Sequence, residues 1–344
     1  MNMIDAATVS IIIPVYNTGK DKLQRCLDAA EKGIQNQEPG SEVILVDDGS
    51  AEETALFLDQ YVSKHPDFIC FHQSNRGASA ARNTGIINAK GAYLCFVDAD
   101  DCPNFPDYRD LLLKYANADI LITDLEVIYE NGKNELWKAF PHTGGAVSIR
   151  EVLEKLCCDG KLNGPVCKLI KKSFLEKEGM RFPEDMILGE DLCFFLNLLA
   201  ENPAIYYCDT VTYFYYKNSI TGNTRMLEKQ DQVFSDYIRM HEKTNEIISL
   251  SGCEEDIKTK LYSRNTDRFV KQVFNAFAEL ELLQQIESKN LDKVNSYLDI
   301  YLRSHPEAEC DKKTKVKIHL LEKKDYRAIH LYAKARKLYH NLKK

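Results

Sequence analysis

Apolar positions in the first hundred residues come in short unbroken runs, separated by stretches where they recur every three or four residues. VSIIIPV (9–15) is apolar or β-branched almost throughout, the pattern of a strand covered on both faces. Leu23, Leu27, Ala30 and Ile34 follow at helical spacing, and Pro39 and Gly40 end that stretch. The alternation then repeats. EVILVDDGS (42–50) reads as a second buried strand, 52–64 as a helix carrying Leu56, Tyr61 and Val62, and FICFH (68–72) as a third strand. GASAARNTGIINAKG (77–91) reads as a helix rich in small residues and AYLCFVD (92–98) as a fourth strand. Strand and helix alternating at this interval predict parallel βαβ units in a doubly wound α/β sheet.

Beyond residue 119 the rhythm changes. DILITDLEVIYENGK (119–133) predicts a bent strand or strand pair turning at Asn131 and Gly132. Residues 148–158 read as helix, 164–176 as helix or mixed, and 192–203 as an apolar helix stopped by Pro203. AIYYCDTVTYFYYKNSIT (204–221) holds two aromatic runs of strand character, with YFYY (213–216) read as core strand. From 228 onward the pattern is helical, with no glycine after Gly252 and only Pro306 as a breaker. These readings divide the chain into an α/β domain over 1–225 and a helical region over 226–344.

Composition narrows the class. A chain of 344 residues with 44% hydrophobic residues can bury a sizeable core in two units. The eleven cysteines are odd in number, lie largely in apolar segments and form no CxxC pair, which favours buried reduced thiols in a cytosolic protein over a disulfide framework. No run of about 18 apolar residues occurs to span a membrane, and the N-terminus lacks the basic flank of a secretory signal.

Charge adds a second object. Residues 311–344 hold twelve Lys or Arg against three Asp or Glu, an excess of +9, so with a net charge of −7 the first 310 residues carry −16. In this tail Ile318, Leu321, Ile329, Tyr332, Ala333 and Leu338 interleave with cations. Such a basic amphipathic helix either lies on an anionic membrane surface or packs on the catalytic domain through its apolar stripe. Nucleic acid is not expected, because no recognition motif accompanies the basic patch and the body is acidic.

In open α/β sheets, ligands bind beyond the carboxyl ends of the strands. That rim holds Tyr16 and Asn17, Asp47 and Asp48, and the crowded Asp98, Asp100 and Asp101. Carboxylates this close repel one another unless a cation is present, and a hard divalent ion such as Mg²⁺ or Mn²⁺ takes oxygen ligands together with substrate phosphates. VDADD therefore reads as a metal and diphosphate site, with a solvated Asp-rich turn as the plain alternative. VDDGS adds an acidic pair, Gly49 for the turn and Ser50 placed to cap the next helix, and an acid there can accept hydrogen bonds from a nucleobase or ribose.

Taken in order, SIIIPVYN, VILVDDGS, NRGASAARNTGI, YLCFVDADD and LGEDLCFF resemble the family 2 glycosyltransferases of the GT-A fold, over about residues 8–225. The resemblance implies a Rossmann-like, mostly parallel sheet flanked by helices, and an inverting transfer of a hexose-type sugar from a nucleotide diphosphate sugar, a UDP-sugar, in polysaccharide biosynthesis. Pro14, Tyr16 and Asp48 match positions that hold the nucleobase and ribose, with Tyr16 stacking on the base. Arg82 and Asn83 match the segment that approaches the diphosphate or sugar. Asp98 and Asp100 match the DxD motif and its Mn²⁺ or Mg²⁺, Asp100 being the more direct ligand. Asp191, with Glu190 as its rival, matches the catalytic base. Asp191 also precedes an apolar helix, where the helix dipole alone favours an acid. The resemblance further implies a saccharide or lipid-linked saccharide acceptor, and a cytoplasmic enzyme able to associate with the inner face of the cell membrane. Lys168 in VCKLIKK and the NSIT stretch (218–221) resemble family segments near the donor or acceptor, although Val166 and Cys167 replace the aromatic expected before Lys168.

Rival classes fit less well. A haloacid-dehalogenase phosphatase needs Thr or Val two residues after the second Asp of its DxD, where this chain has Cys102. A nucleotidyltransferase needs a Gly- and Arg-rich signature where VYNTGKDK stands, and neither GxGxxG nor GxxxxGK[ST] occurs. A non-catalytic nucleotide-binding or scaffold protein retaining the fold is the alternative from another class, and the presence of Asp100 and Asp191 weighs against it.

Overall fold

The structure, a computed structural model, describes residues 7–105, 108–217 and 227–342. The chain divides into two compact units, one of Met1–Val152, Lys161–Glu184 and Glu190–Ile220, the other of Leu153–Gly160, Asp185–Gly189 and Thr221–Lys344.

The first unit opens with the predicted alternation: β1 (Val9–Val15), α1 (Lys20–Ile34), β2 (Glu42–Asp47), α2 (Glu52–Val62), β3 (Phe68–His72), α3 (Ala78–Asn88) and β4 (Tyr93–Phe96). β1 pairs in parallel with both β2 and β4, so that Ile12 lies between Ile44 and Phe96, and β3 pairs in parallel with the far side of β2. Every residue of β2 is buried and β1 is nearly so, which explains their unbroken apolar runs.

The rest of the unit supplies β5 (Cys102–Pro103), α4 (Tyr108–Lys114), β6 (Ile120–Tyr129), β7 (Asn134–Trp137), β8 (Gly144–Val147), β9 (Lys168–Lys171), α6 (Lys172–Lys177), α7 (Glu190–Ala200) and β10 (Ile205–Lys217). Helix α5 (Ile149–Cys158) follows β8 and counts with the first unit up to Val152 and with the second from Leu153. The order across the sheet is β3-β2-β1-β4-β9-β6-β10-β5, with β7 beside β6 and β8 beside β10. It is a mixed sheet with helices, the α/β class expected. Two expectations change. Residues 164–176 hold a strand before a short helix: β9 runs antiparallel to both β4 and β6, with Ile170 facing Leu94 on one side and Ile120 on the other. The aromatic runs form one strand of 13 residues, kept alongside β6 by register shifts between Tyr207 and Tyr213.

The second unit contains α8 (Gln230–Leu250), α9 (Glu255–Leu282), α10 (Ser288–Ser304), α11 (Lys312–Glu322) and α12 (Tyr326–Leu342). Its core gathers Phe234, Phe269, Val273, Phe274, Phe277, Leu291 and Leu298. Ile318, Leu321, Ile329 and Ala333 of the tail belong to that core, so this part of the predicted stripe packs within the helical unit and is not a membrane face. All eleven cysteines are free thiols. No helix among the described residues is long and apolar enough to cross a membrane.

Candidate active site

Parallel pairing of β1, β2 and β4 brings their carboxyl ends to one edge, as the motif spacing implied. The loops there are tied to each other. The Asn17 amide donates to Ser50 Oγ (3.0 Å), and Asn17 Oδ1 accepts from the Ala51 amide (2.8 Å). Ser50 therefore joins two loops, and Ala51 occupies the cap of α2 without a side-chain cap. Asp47, held low against the effect of burial by hydrogen bonds from Ser50 and His72, closes the turn from below. Asp48 is buried, and its carboxylate accepts from Gln73 Nε2 (2.8 Å), the Arg76 amide (2.9 Å) and the Gly77 amide (2.8 Å). It holds the β3–α3 loop to the rim. Tyr16 projects into solvent, 54% exposed, and Pro14 is half-buried in β1.

The three carboxylates after β4 have three different fates. Asp98 Oδ1 accepts from Arg82 Nη2 at 3.0 Å. The Asp100 carboxylate makes no hydrogen bond or ion pair among the described residues, while its backbone carbonyl accepts from Arg25 Nη2 (2.6 Å). Asp101 turns inward, is 2% exposed, and accepts from the Tyr213 hydroxyl (2.7 Å) and the Tyr216 amide (2.8 Å). Burial pushes its carboxyl up to about 7 against those two bonds. Tyr213 Oη also accepts from the Asp98 amide (3.2 Å), and the Arg25 guanidinium lies 3.6 Å from the Tyr216 ring centre. The loop is thus pinned by α1, α3 and β10, leaving the Asp100 carboxylate and one oxygen of Asp98 as its uncommitted acceptors. Among the described residues no three His, Cys, Asp or Glu side chains gather into a metal cage, and the Asp100 carboxylate and the second oxygen of Asp98 are the two donors of this loop that could hold a cation taking its other oxygens from elsewhere.

Arg82 links this loop to the first turn of α7. It rises from α3, which lies close enough to the sheet that a Cβ on Gly85 would stand 2.3 Å from Ile12 Cγ2. Arg82 is 5% exposed, and its guanidinium lies 5.3 Å from the Phe182 ring centre. Its Nη1 donates to Asp191 Oδ1 at 2.7 Å and stands 4.0 Å from Glu190. Burial raises the Asp191 carboxyl to about 7; Arg82 opposes this while Glu190 and Asp98 add to it. Asp191 is the acid joined through Arg82 to the Asp98 loop, and Glu190 stays at the edge of the contact.

Asn83 is buried and its side chain is committed to the 182–184 segment. Its amide donates to the Phe182 carbonyl (2.9 Å) and Glu184 Oε1 (3.0 Å) and accepts from the Phe182 amide (2.8 Å), which fixes the segment under Arg82. Lys168 is buried, its ammonium donating to the carbonyls of Leu162 (3.0 Å) and Gly164 (2.5 Å), and burial lowers it to about 8. NSIT (218–221) lies outside the described residues. Sequence reasoning missed Arg25, Tyr213 and Tyr216 as supports of the acidic loop, since no local motif joins residues about a hundred positions apart.

Residues 10–179 match the family model described as Glycosyl transferase family 2. That span is a family 2 glycosyltransferase domain. The chain is 26% identical to EpsH of Bacillus subtilis over 273 residues, 78% of this chain and 75% of that protein. It is 30% identical over 218 residues to a poly(ribitol-phosphate) beta-glucosyltransferase of Bacillus spizizenii, but spans only 32% of that longer protein against 60% of itself. The fold is that of S. aureus TarS residues 1–349, with a TM-score of 0.63, 18% identity, and coverage of 96% of this chain and 91% of TarS. TarS 1–349 has also been crystallised in complex with UDP and with UDP-GlcNAc.

Proposed function

We propose that this glycosyltransferase domain moves a hexose-type sugar from a UDP-sugar to a hydroxyl of a saccharide or lipid-linked saccharide, with inversion at the anomeric carbon, during polysaccharide synthesis. The observation that carries this reading is the Arg82 bridge, which joins a carboxylate of the donor loop to the acid at the start of α7. TarS supports the choice of uridine nucleotide, and the glucosyltransferase relative supports a hexose and a polymeric acceptor.

In this reading Tyr16 and Pro14 flank the base, and Asp48 shapes the floor through its grip on the 73–77 loop. Asp98 and Asp100 would hold Mn²⁺ or Mg²⁺, which when bound offsets charge developing on the leaving diphosphate. Arg82 orients Asp191 and adds a buried positive charge beside the same loop. Asp191 takes the proton from the acceptor hydroxyl as that oxygen bonds to the anomeric carbon and the bond to the diphosphate breaks. A carboxylate raised towards neutrality is a stronger base than an ordinary one, and about half of it is ionised near pH 7. With an α-linked donor, inversion gives a β product.

Calorimetric titration with nucleoside diphosphates and their sugar conjugates, with and without Mn²⁺, tests the donor site. Manganese-dependent binding of UDP, lost in Asp100→Ala, is expected. Absence of any nucleotide binding would return the chain to the scaffold reading.

A further inference from the structure

Helix α12 carries Arg327, Lys334, Arg336 and Lys337 and no Asp or Glu along its whole length. One side of it is occupied: Ile329 and Ala333 enter the core of the helical unit, Arg336 Nη1 reaches Glu279 at 3.3 Å, and His330 faces Glu281 at 3.7 Å. Another face runs through Arg327, Leu331, Lys334 and Leu338, at the alternating four- and three-residue steps that align side chains along one helix surface. Leu331 and Leu338 are 67% and 63% exposed. Arg327, Lys334 and the adjoining Lys337 are exposed and make no ion pair among the described residues.

We propose that this face of α12 docks on an anionic lipid bilayer. Two exposed leucines about 10 Å apart along the axis suit the boundary between headgroups and acyl chains. The cations beside them, with no carboxylate on the helix to repel a phosphate, suit the charged headgroups. Aliphatic side chains gain nothing from a nucleic-acid backbone, and this sets the bilayer above a polynucleotide as the occupant. On α11, Val316 is 59% exposed among Lys312, Lys313 and Lys315, a smaller surface of the same character. The surface differs from the stripe through Ile329 and Ala333, which the protein itself covers. The inference rests on the reading above in so far as a lipid-linked acceptor gives the contact a purpose, although vesicle binding needs neither donor nor transfer.

The test is flotation of the full chain with phosphatidylcholine vesicles, pure or with roughly one lipid in three replaced by phosphatidylglycerol. Wild type is expected to float with the anionic vesicles alone and to be released by salt. Lys334→Glu with Lys337→Glu is expected to lower partitioning by about 25-fold or more, at about fivefold per cation lost. Leu331→Ser with Leu338→Ser is expected to lower it by about tenfold or more. Unchanged circular dichroism and unchanged UDP binding with Mn²⁺ show that both variants fold. Equal flotation with neutral vesicles, no flotation with anionic ones, or either variant floating like wild type overturns the proposal. Duplex DNA that binds the serine variant as tightly as wild type and displaces the vesicles overturns it in favour of a polyanion surface. Vesicle binding without UDP binding would fail the donor reading alone, and UDP binding without vesicle binding would fail this surface alone.

Discussion

Arg82 Nη1 stands 2.7 Å from Asp191 Oδ1, joining residues 109 positions apart in the chain. The other nitrogen of the same fork holds Asp98, so one rigid guanidinium sets the separation between the donor loop and the acid of α7. A lysine offers a single point charge and cannot hold that geometry. Arg82→Lys is expected to fold and to lower kcat/KM by about a hundredfold or more, measured by release of UDP.

The raised carboxyl of Asp191 predicts a pH profile. A general base works deprotonated, so kcat/KM should fall on the acid side through an apparent pKa of about 7, towards tenfold per pH unit below it. Arg82 is the group that lowers this pKa most, so Arg82→Lys should move the limb to higher pH. Steady-state kcat/KM across pH 5 to 9 checks both; a wild-type profile flat down to pH 5, as an ordinary carboxylate near 4 would give, contradicts the assignment.

Asp98 and Asp100 should separate in stability while agreeing in ligand binding. The Asp100 carboxylate has no partner among the described residues, so Asp100→Ala should change unfolding free energy by about 0.5 kcal/mol or less. Asp98→Ala removes a partner of the buried Arg82 and should cost about 1–3 kcal/mol. Both should abolish manganese-dependent UDP binding, with chemical denaturation and calorimetry as the paired measurements.

Tyr213→Phe deletes a hydroxyl that donates to Asp101 and accepts from the Asp98 amide. A loss of about 1–3 kcal/mol in stability is expected. The donor KM should rise more than kcat falls, because the loop bearing Asp98 and Asp100 loses a support while Asp191 keeps its own. A kcat loss with KM unchanged would show that the hydroxyl acts elsewhere.

His72 offers a test of linkage. Its hydrogen bond to Asp47 raises it above its ordinary value, against the effect of burial. The protonated form is therefore stabilised in the fold: the contribution is full below about pH 6.5 and disappears as pH rises through the folded pKa. Solvent at this half-exposed ring keeps the effect to about 1 kcal/mol or less. Denaturation of His72→Gln at pH 6 and pH 8.5 should show less pH dependence than wild type over that window.

The parallel strands were readable because a strand covered on both faces needs an unbroken apolar run, and β1 and β2 have one. β9 was not. Its four residues include Lys168, which reads as polar and solvated, yet its ammonium is buried and satisfied by two carbonyls of its own approach loop. Asp98, Asp100 and Asp191 stood out by charge at strand and helix ends. The inward turn of Asp101 left no trace in composition, because its partners lie on β10. The tail misled in a different way: its spacing predicts one helix where the chain breaks into α11 and α12, and a stripe has no label for what covers it; most of this one enters the core of the helical unit.

The hydrogen bond from Tyr213 to Asp101 spans 112 residues, and that gives the site a chronology. A chain emerging from the ribosome has β1 to β4 and every carboxylate of the acidic loop long before β10 exists. At roughly 5–20 residues per second, the loop waits on the order of ten seconds for the strand that braces it. The nascent α/β half therefore carries its acidic loop unbraced until the last strand of the sheet is made.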